Sequence, residues 1–179
     1  YNVDVTQLAT SGTLATQRVD ATDQSIVDND GTLTLDFGPG GNAGSVDIAV
    51  GAESTLEDVR DAVNATEDAG VRASIINDGQ GFRLALTSTE TGEQASINST
   101  NFDTLANGNL SANPDNSIAV DGQDASLSIN GVDITSTTNE VSGAIQGVTL
   151  DLESTGLNTV EVQQDTLKVR EAVSGFVSS

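Results

Sequence analysis

STLEDVRDAVNATEDAGVRASIINDGQGFRLALTSTETGEQASIN, residues 54–98, decides the fold of this chain, because a helix signal runs straight into a hairpin signal. Ser54 and Glu57 stand at capping-box spacing, so the Ser hydroxyl accepts an orphan amide proton of the first turn while the Glu reaches back. Leu56, Val59 and Val63 fall at i, i+3 and i+7 with Ala62 beside them, against a face of Glu57, Asp58, Arg60 and Asp61. The pattern predicts a helix that begins at Ser54 and that Gly70 ends. Beyond it, Val71, Ala73 and Ile75 alternate with Arg72 and Ser74, and Phe82, Leu84 and Leu86 alternate with Arg83, Ala85 and Thr87. Asn77, Asp78, Gly79 and Gly81 lie between the two runs and tolerate the positive φ of a tight reversal, so the pair reads as a hairpin.

Outward from this unit, alternation dominates. Tyr1, Val3 and Val5, then Leu33, Leu35 and Phe37, then Val46, Ile48 and Val50 each alternate with polar or small neighbours, as half-buried strands with one wet face do. From Ser99 the periodicity lapses into Asn, Ser, Gly, Asp and Pro, so residues 99 to 117 read as a surface loop or domain connection. Strand signals then return at Leu127 and Ile129, Val132 and Ile134, Val148, Leu150 and Leu152, and Val160 and Val162, with turns at Gly131, Gly147 and Gly156. Thr137 and Glu140 have capping-box spacing ahead of Val141, Ala144 and Ile145, which predicts about two turns of helix. Asp165 caps a final helical pattern of Val169, Ala172, Val173, Phe176 and Val177, interrupted by Gly175. The chain opens inside a strand pattern and closes inside a helical one, which predicts a piece of a longer protein. The fold class that results is mainly β with a few short helices, a β-rich α+β protein.

Composition narrows the function. In 179 residues, six basic side chains face 27 acidic ones, for a net charge of −21. That charge repels phosphate backbones and anionic membrane surfaces, so neither a nucleic acid nor a membrane is an expected partner. The sequence holds no Cys and no His, which removes disulfides, thiol chemistry and imidazole bases or ligands. No stretch approaches about 18 consecutive apolar residues. The acidity is read as a solvated surface suited to salty or exterior surroundings.

Sharper readings of single motifs fare less well. Asp28-Asn29-Asp30-Gly31 resembles the start of an EF-hand, but its Gly comes two positions early and the loop lacks its closing Glu. Gly40-Gly41-Asn42-Ala43-Gly44-Ser45-Val46-Asp47 resembles a calcium nonapeptide without matching or recurring. Both are expected to be turns. The same glycines lead into a strand pattern with no Lys, whereas a phosphate cradle leads into a helix. Arg72 and Arg83, on neighbouring predicted strands, could meet an anion, but are expected to neutralise nearby Asp and Glu. Phe82 is read as a core anchor, Phe176 as packing for the last helix, and Asn77 and Asn130 as holding their turns through side chain to backbone hydrogen bonds. No catalytic, cofactor-binding or metal-ligating residue is assigned, and no cofactor is expected.

Two segments carry a family resemblance. Ile76-Asn77 leading into DGQGFRLALTS resembles the IN motif of bacterial flagellins and hook-associated proteins. More specific is DGQDASLSINGVDITSTTNEVSGAIQGVTLDLEST, residues 121–155, which resembles the start of the C-terminal region of the flagellar filament cap family, the second hook-associated proteins. There Gly122, Asp124 and Ala125 lead into an Ile129-Asn130-Gly131 turn, Thr138-Asn139 stands where a helix opens, and a strand follows from Gly147 to Leu150. YNVDVTQLA at the start resembles the strand that closes the family's N-terminal region, and AVSGFVSS at the end resembles the helix that leads back towards its coiled-coil leg.

The resemblance implies a head of small β-rich domains, with a coiled-coil leg elsewhere in the full-length protein. It also implies that the first strand pairs with residues after 118. The domains would then be 1–12 plus 119–179, discontinuous, and 13–118, inserted and carrying the IN motif. It implies an extracellular, homo-oligomeric cap at the distal tip of the flagellum, which retains flagellin and promotes its polymerisation beside neighbouring hook-associated proteins. So acidic a head would repel its neighbours in a ring unless salt screens it. Two further classes stay open. One is a surface adhesin for host glycans or mucin, for which Tyr1, Phe37, Phe82, Phe102 and Phe176 are the only aromatic residues available. The other is a carboxylate-pair glycosidase, where 27 acids make chance pairs inevitable. A flagellin outer domain is a further axial alternative.

Overall fold

The computed structural model describes residues 1–105 and 118–162. Its strands are β1 (Asn2–Gln7), β2 (Thr13–Ala15), β3 (Gly31–Phe37), β4 (Ser45–Val50), β5 (Val71–Asn77), β6 (Phe82–Ser88), β7 (Ile97–Thr100), β8 (Ile118–Val120), β9 (Ala125–Ile129), β10 (Val132–Ser136), β11 (Glu140–Ile145), β12 (Val148–Asp151) and β13 (Gly156–Thr159). Helix α1 spans Leu56–Ala65 and the short α2 spans Phe102–Leu105. The mainly β fold class read from the alternation is the one observed.

Among the described residues the strands gather in four sheets, of order β10-β9-β1-β13, β11-β12, β5-β6-β2-β8 and β4-β3-β7. All the pairings are antiparallel. The first strand thus lies between residues 125–129 and 156–159, far along the chain, with Val3 opposite both Ile129 and Asn158. Two separate hydrophobic clusters result. One packs Leu14, Leu33, Leu35, Ile48, Leu84 and Leu86 of the sheets against Leu56, Val59 and Val63 of α1. The other joins Val3, Val5, Leu127 and Ile129 to Val141, Ile145, Leu150 and Leu152 of the β11-β12 hairpin. Along β1, β3, β6 and β9 the buried apolar residues occupy alternate positions, because a pleated strand turns successive side chains to opposite faces. Each fully buried Leu stabilises its cluster by roughly 1.5–3 kcal/mol.

The helix and hairpin of residues 54–98 are present, with their ends displaced. The cap of α1 is Thr55, whose hydroxyl accepts from the amide of Asp58, while Asp58 accepts in turn from the Thr55 amide at 2.9 Å. Two capping frames overlap here, Ser54 with Glu57 and Thr55 with Asp58. The second is chosen because Ser54 is engaged in the preceding turn, its hydroxyl donating to Gly51 O at 2.7 Å and its carbonyl accepting from Ile26. The helix ends at Ala65, not at Gly70. Thr66 closes it in extended conformation, and Gly70, at φ +68°, turns the chain into β5.

Three further expectations change. Residues 140–145 form strand β11 rather than a helix. Gly143, at φ +80°, and Ala144 are extra residues bulged out between Ser142 and Ile145. The bulge leaves Ala144 half-buried beside the buried Ile145, which completes the i, i+3, i+4 set with Val141 that read as helical. Residues 99–105 are not loop: β7 pairs with β3, Phe102 is buried in the first cluster, and the Asn101 side chain bridges the Thr32 carbonyl and the Thr34 amide. Gly156 opens β13 instead of making a turn, and Val160 and Val162 follow that strand rather than forming it. The helix expected over residues 165–177 lies outside the described residues.

Candidate functional site

At the tip of the β5-β6 hairpin the Asp78 carboxylate accepts from Arg18 Nε at 2.5 Å and from Arg83 Nε at 3.1 Å. Arg83 also donates through Nη1 to the Thr16 carbonyl at 2.6 Å. Asn77 accepts from the Gly79 amide at 2.9 Å and Asp78 from the Gln80 amide at 3.1 Å, so the reversal is held by its own side chains. The hydrogen bond from Arg18, and next that from Arg83, lower the Asp78 pKa from 3.8 to about 2. Arg83 therefore neutralises an internal acid, as its surroundings in the sequence lead one to expect. Arg72 stands opposite Thr87 and Arg83 opposite Ile76, so the two guanidinium groups do not converge on one anion.

The other singled-out residues are structural too. Phe82 is half-buried against the first cluster. Asn130, at φ +50°, does not brace its own turn: it accepts from the Asn2 amide at 2.9 Å and so ties the β9-β10 turn to β1. Phe176 lies outside the described residues. In the Asp28–Gly31 run, Asp30 accepts from the Ala52 amide at 2.7 Å. In the Gly40–Asp47 run a single turn of 3₁₀ helix over Pro39–Gly41 precedes β4, where Asp47 accepts from the Thr34 hydroxyl at 2.7 Å. Among the described residues no three acidic side chains gather around a common point.

The most constructed polar region is the seam between the two clusters, and sequence reasoning missed it. Chain segments 8–12 and 120–124 cross it side by side, joined by an antiparallel bridge between Thr10 and Gln123. The β6-β7 connection lies against both. Gly92 donates to Thr10 O at 3.1 Å, Glu93 donates its amide to Asp124 Oδ1 at 2.8 Å, and Gly122 donates to Ser96 Oγ at 3.0 Å. Thr91 donates its hydroxyl to Thr137 O at 2.7 Å. The Asn139 side chain accepts from the Ala9 amide at 2.8 Å and donates to its carbonyl at 3.0 Å. A cleft of about 340 Å³ opens beside the seam, with Phe37 and Ala95 among its apolar lining and Thr91, Gln94 and Thr138 among its polar lining. The one sequence signal for this seam was the set of Gly12, Gly92 and Gly122, which sits in no hairpin turn. Hydroxyls, amides and carboxylates tied to backbone in this way hold surfaces together.

Known proteins resemble this chain in both sequence and structure. The model of the flagellar hook-associated protein 2 C-terminus matches residues 122–179, and that of the flagellin hook IN motif matches residues 27–90. The A-type flagellar hook-associated protein 2 of Pseudomonas aeruginosa is 32% identical over 202 aligned positions, covering 100% of this chain. The chain spans 41% of the length of that relative, and 30% of the length of the Escherichia coli K12 flagellar hook-associated protein 2, to which it is 35% identical. The crystal structure of the D2-D3 domains of the Escherichia coli flagellar cap protein FliD superposes with a TM-score of 0.74 at 32% identity, covering 92% of this chain and 88% of that one. The crystal structure of FliD (HAP2) from Pseudomonas aeruginosa PAO1 gives a TM-score of 0.78 at 28% identity, covering 99% and 85%. With a solved relative matched over nearly all of both chains, this chain belongs to the flagellar hook-associated protein 2 family, the flagellar cap proteins.

Proposed function

We propose that this chain is the head of a flagellar filament cap, with a structural and non-enzymatic role. In this reading it sits outside the cell at the distal tip, forms a plate with further copies of itself, retains flagellin and promotes its polymerisation beside neighbouring hook-associated proteins. The observation that carries the reading is the likeness to the FliD D2-D3 domains over 92% of the chain. The head is read as two domains, 1–12 plus 119–179 and an inserted 13–118. Support for that division comes from β1, which pairs with β9 and β13, from β2, which pairs with β6, and from the two separate clusters; β8 also pairs with β2, which carries the inserted unit on to Val120, two residues past 118. Two covalent crossings between units are what an insertion requires.

The test is genetic. The parent gene is deleted and the strain complemented with the full-length protein, or with protein lacking residues 20–118. The deletion strain is expected to shed flagellin into the medium and to carry short filaments or none, and full-length protein is expected to restore both. A deletion strain with full filaments and retained flagellin would sink the proposal. A strain that swims normally but loses surface attachment would point to adhesion instead.

A further inference from the structure

Two chain crossings alone leave a pair of small domains free to twist about the axis that joins them. Here a third segment, Thr89 to Ser96, reaches from the first unit and lies across both crossings. Its Gly92 amide bonds to Thr10 on one crossing, and its Glu93 amide bonds to Asp124 on the other. Its Ser96 hydroxyl, on a residue only 5% exposed, accepts from Gly122. Its Thr91 hydroxyl reaches past the crossings to Thr137, in the β10-β11 turn of the second unit.

The approach is close enough to be specified by glycine. A Cβ at Gly122 would lie 2.3 Å from Gly92 O, one at Gly92 2.7 Å from Asp124 Oδ1, and one at Gly12 2.7 Å from Ala95 O. Any side chain at these places would drive the three segments apart. Backbone packed on backbone at this distance brings the three segments together, and the hydrogen bonds that join them, that of Asp124 included, fix the angle at which they meet.

We propose that the segment 89–96 is a clasp that locks the two-stranded crossing, with Asp124 as its latch, so that the two units move as one rigid body. The clasp rests on the division into two units and not on the filament role, so either can fail without the other. Its physical content is that the acceptor oxygen at position 124 sets the angular freedom between the clusters. That freedom is a property neither cluster has alone.

The chain has no cysteine of its own, so spin labels can be placed at will, for example on Ser74→Cys in β5 and Asp151→Cys in β12, both exposed. Pulsed electron–electron resonance then reads the distance distribution between the units. The labelled parent and its Asp124→Asn version, which keeps the acceptor oxygen, are expected to give one narrow peak. Asp124→Ala is expected to broaden it at least about twofold while circular dichroism stays unchanged. A broad distribution in the parent overturns the proposal, and so does a narrow one in Asp124→Ala. Should Asp124→Ala fail to fold, Thr91→Ala is read in its place by the same criterion.

Discussion

Asp78 gathers two of the four arginines among the described residues onto one carboxylate, and its titration follows from that. Its folded pKa, about 2, lies below its ordinary 3.8. The ion pairs therefore contribute stability in full above the unfolded value, and that contribution is lost as pH falls from 3.8 to about 2. In Arg18→Ala or Arg83→Ala the carboxyl midpoint, followed by NMR, is expected to climb back toward 3.8. A midpoint that stays near 2 would mean that neither guanidinium is responsible. This much was legible in part: Asp-Gly in a predicted turn and Arg83 on a predicted strand pointed to local neutralisation. Arg18 was not legible, because it reaches Asp78 from the β2–β3 connection 60 residues away in sequence.

Among the elements, β11 teaches the most. Val141, Ala144 and Ile145 mimic a helical stripe because Gly143, at positive φ, inserts a bulge into a strand. Thr138-Asn139, read as the opening of that helix, serves another end: Asn139 pairs with the Ala9 backbone as a neighbouring strand would. Replacing Asn139 by Ala leaves a partly buried amide and carbonyl without these partners and is expected to cost about 1–3 kcal/mol in urea unfolding. Asn139→Asp keeps the acceptor and loses only the donor, so its loss should be smaller. Equal losses in the two variants would refute this assignment of the bonds. Helix α1 makes the same point more mildly. Its stripe was read correctly, while the cap moved one residue because the Ser54 hydroxyl is engaged with Gly51 in the preceding turn.

At the scale of the whole molecule, charge is the governing quantity. Of the cations among the described residues, Arg18, Arg60 and Arg83 are committed to carboxylates of their own chain. The net −21 is therefore spread over a surface that repels itself. Raising NaCl from 0.01 to 1 M shortens the screening length from about 30 Å to about 3 Å. The melting temperature is expected to rise by roughly 3 °C or more, which for a chain of this size corresponds to about 1 kcal/mol. A melting temperature that salt does not move would show the repulsion to be negligible. Calcium and magnesium chlorides at equal ionic strength are expected to act alike, and a rise specific to calcium would restore the cation-binding reading of Asp28–Gly31.

Taken alone, the sequence determined what depends on near neighbours. The strands came from period-two alternation, α1 from its 3.6-residue stripe, the hairpin from Asn-Asp-Gly, and the electrostatic exclusions from a count of charges. Those signals are local because backbone geometry and side-chain direction repeat within a few residues. Tertiary structure decided what no window contains: that β1 lies between strands more than 120 and 150 residues away, that a bulge and not a helix fills 140–145, and that segment 89–96 lies across the two crossings. Each of those depends on which backbone groups meet across long loops. The residues that join them, Asp124, Ser96 and Asn139, are short polar side chains whose roles only their distant partners define.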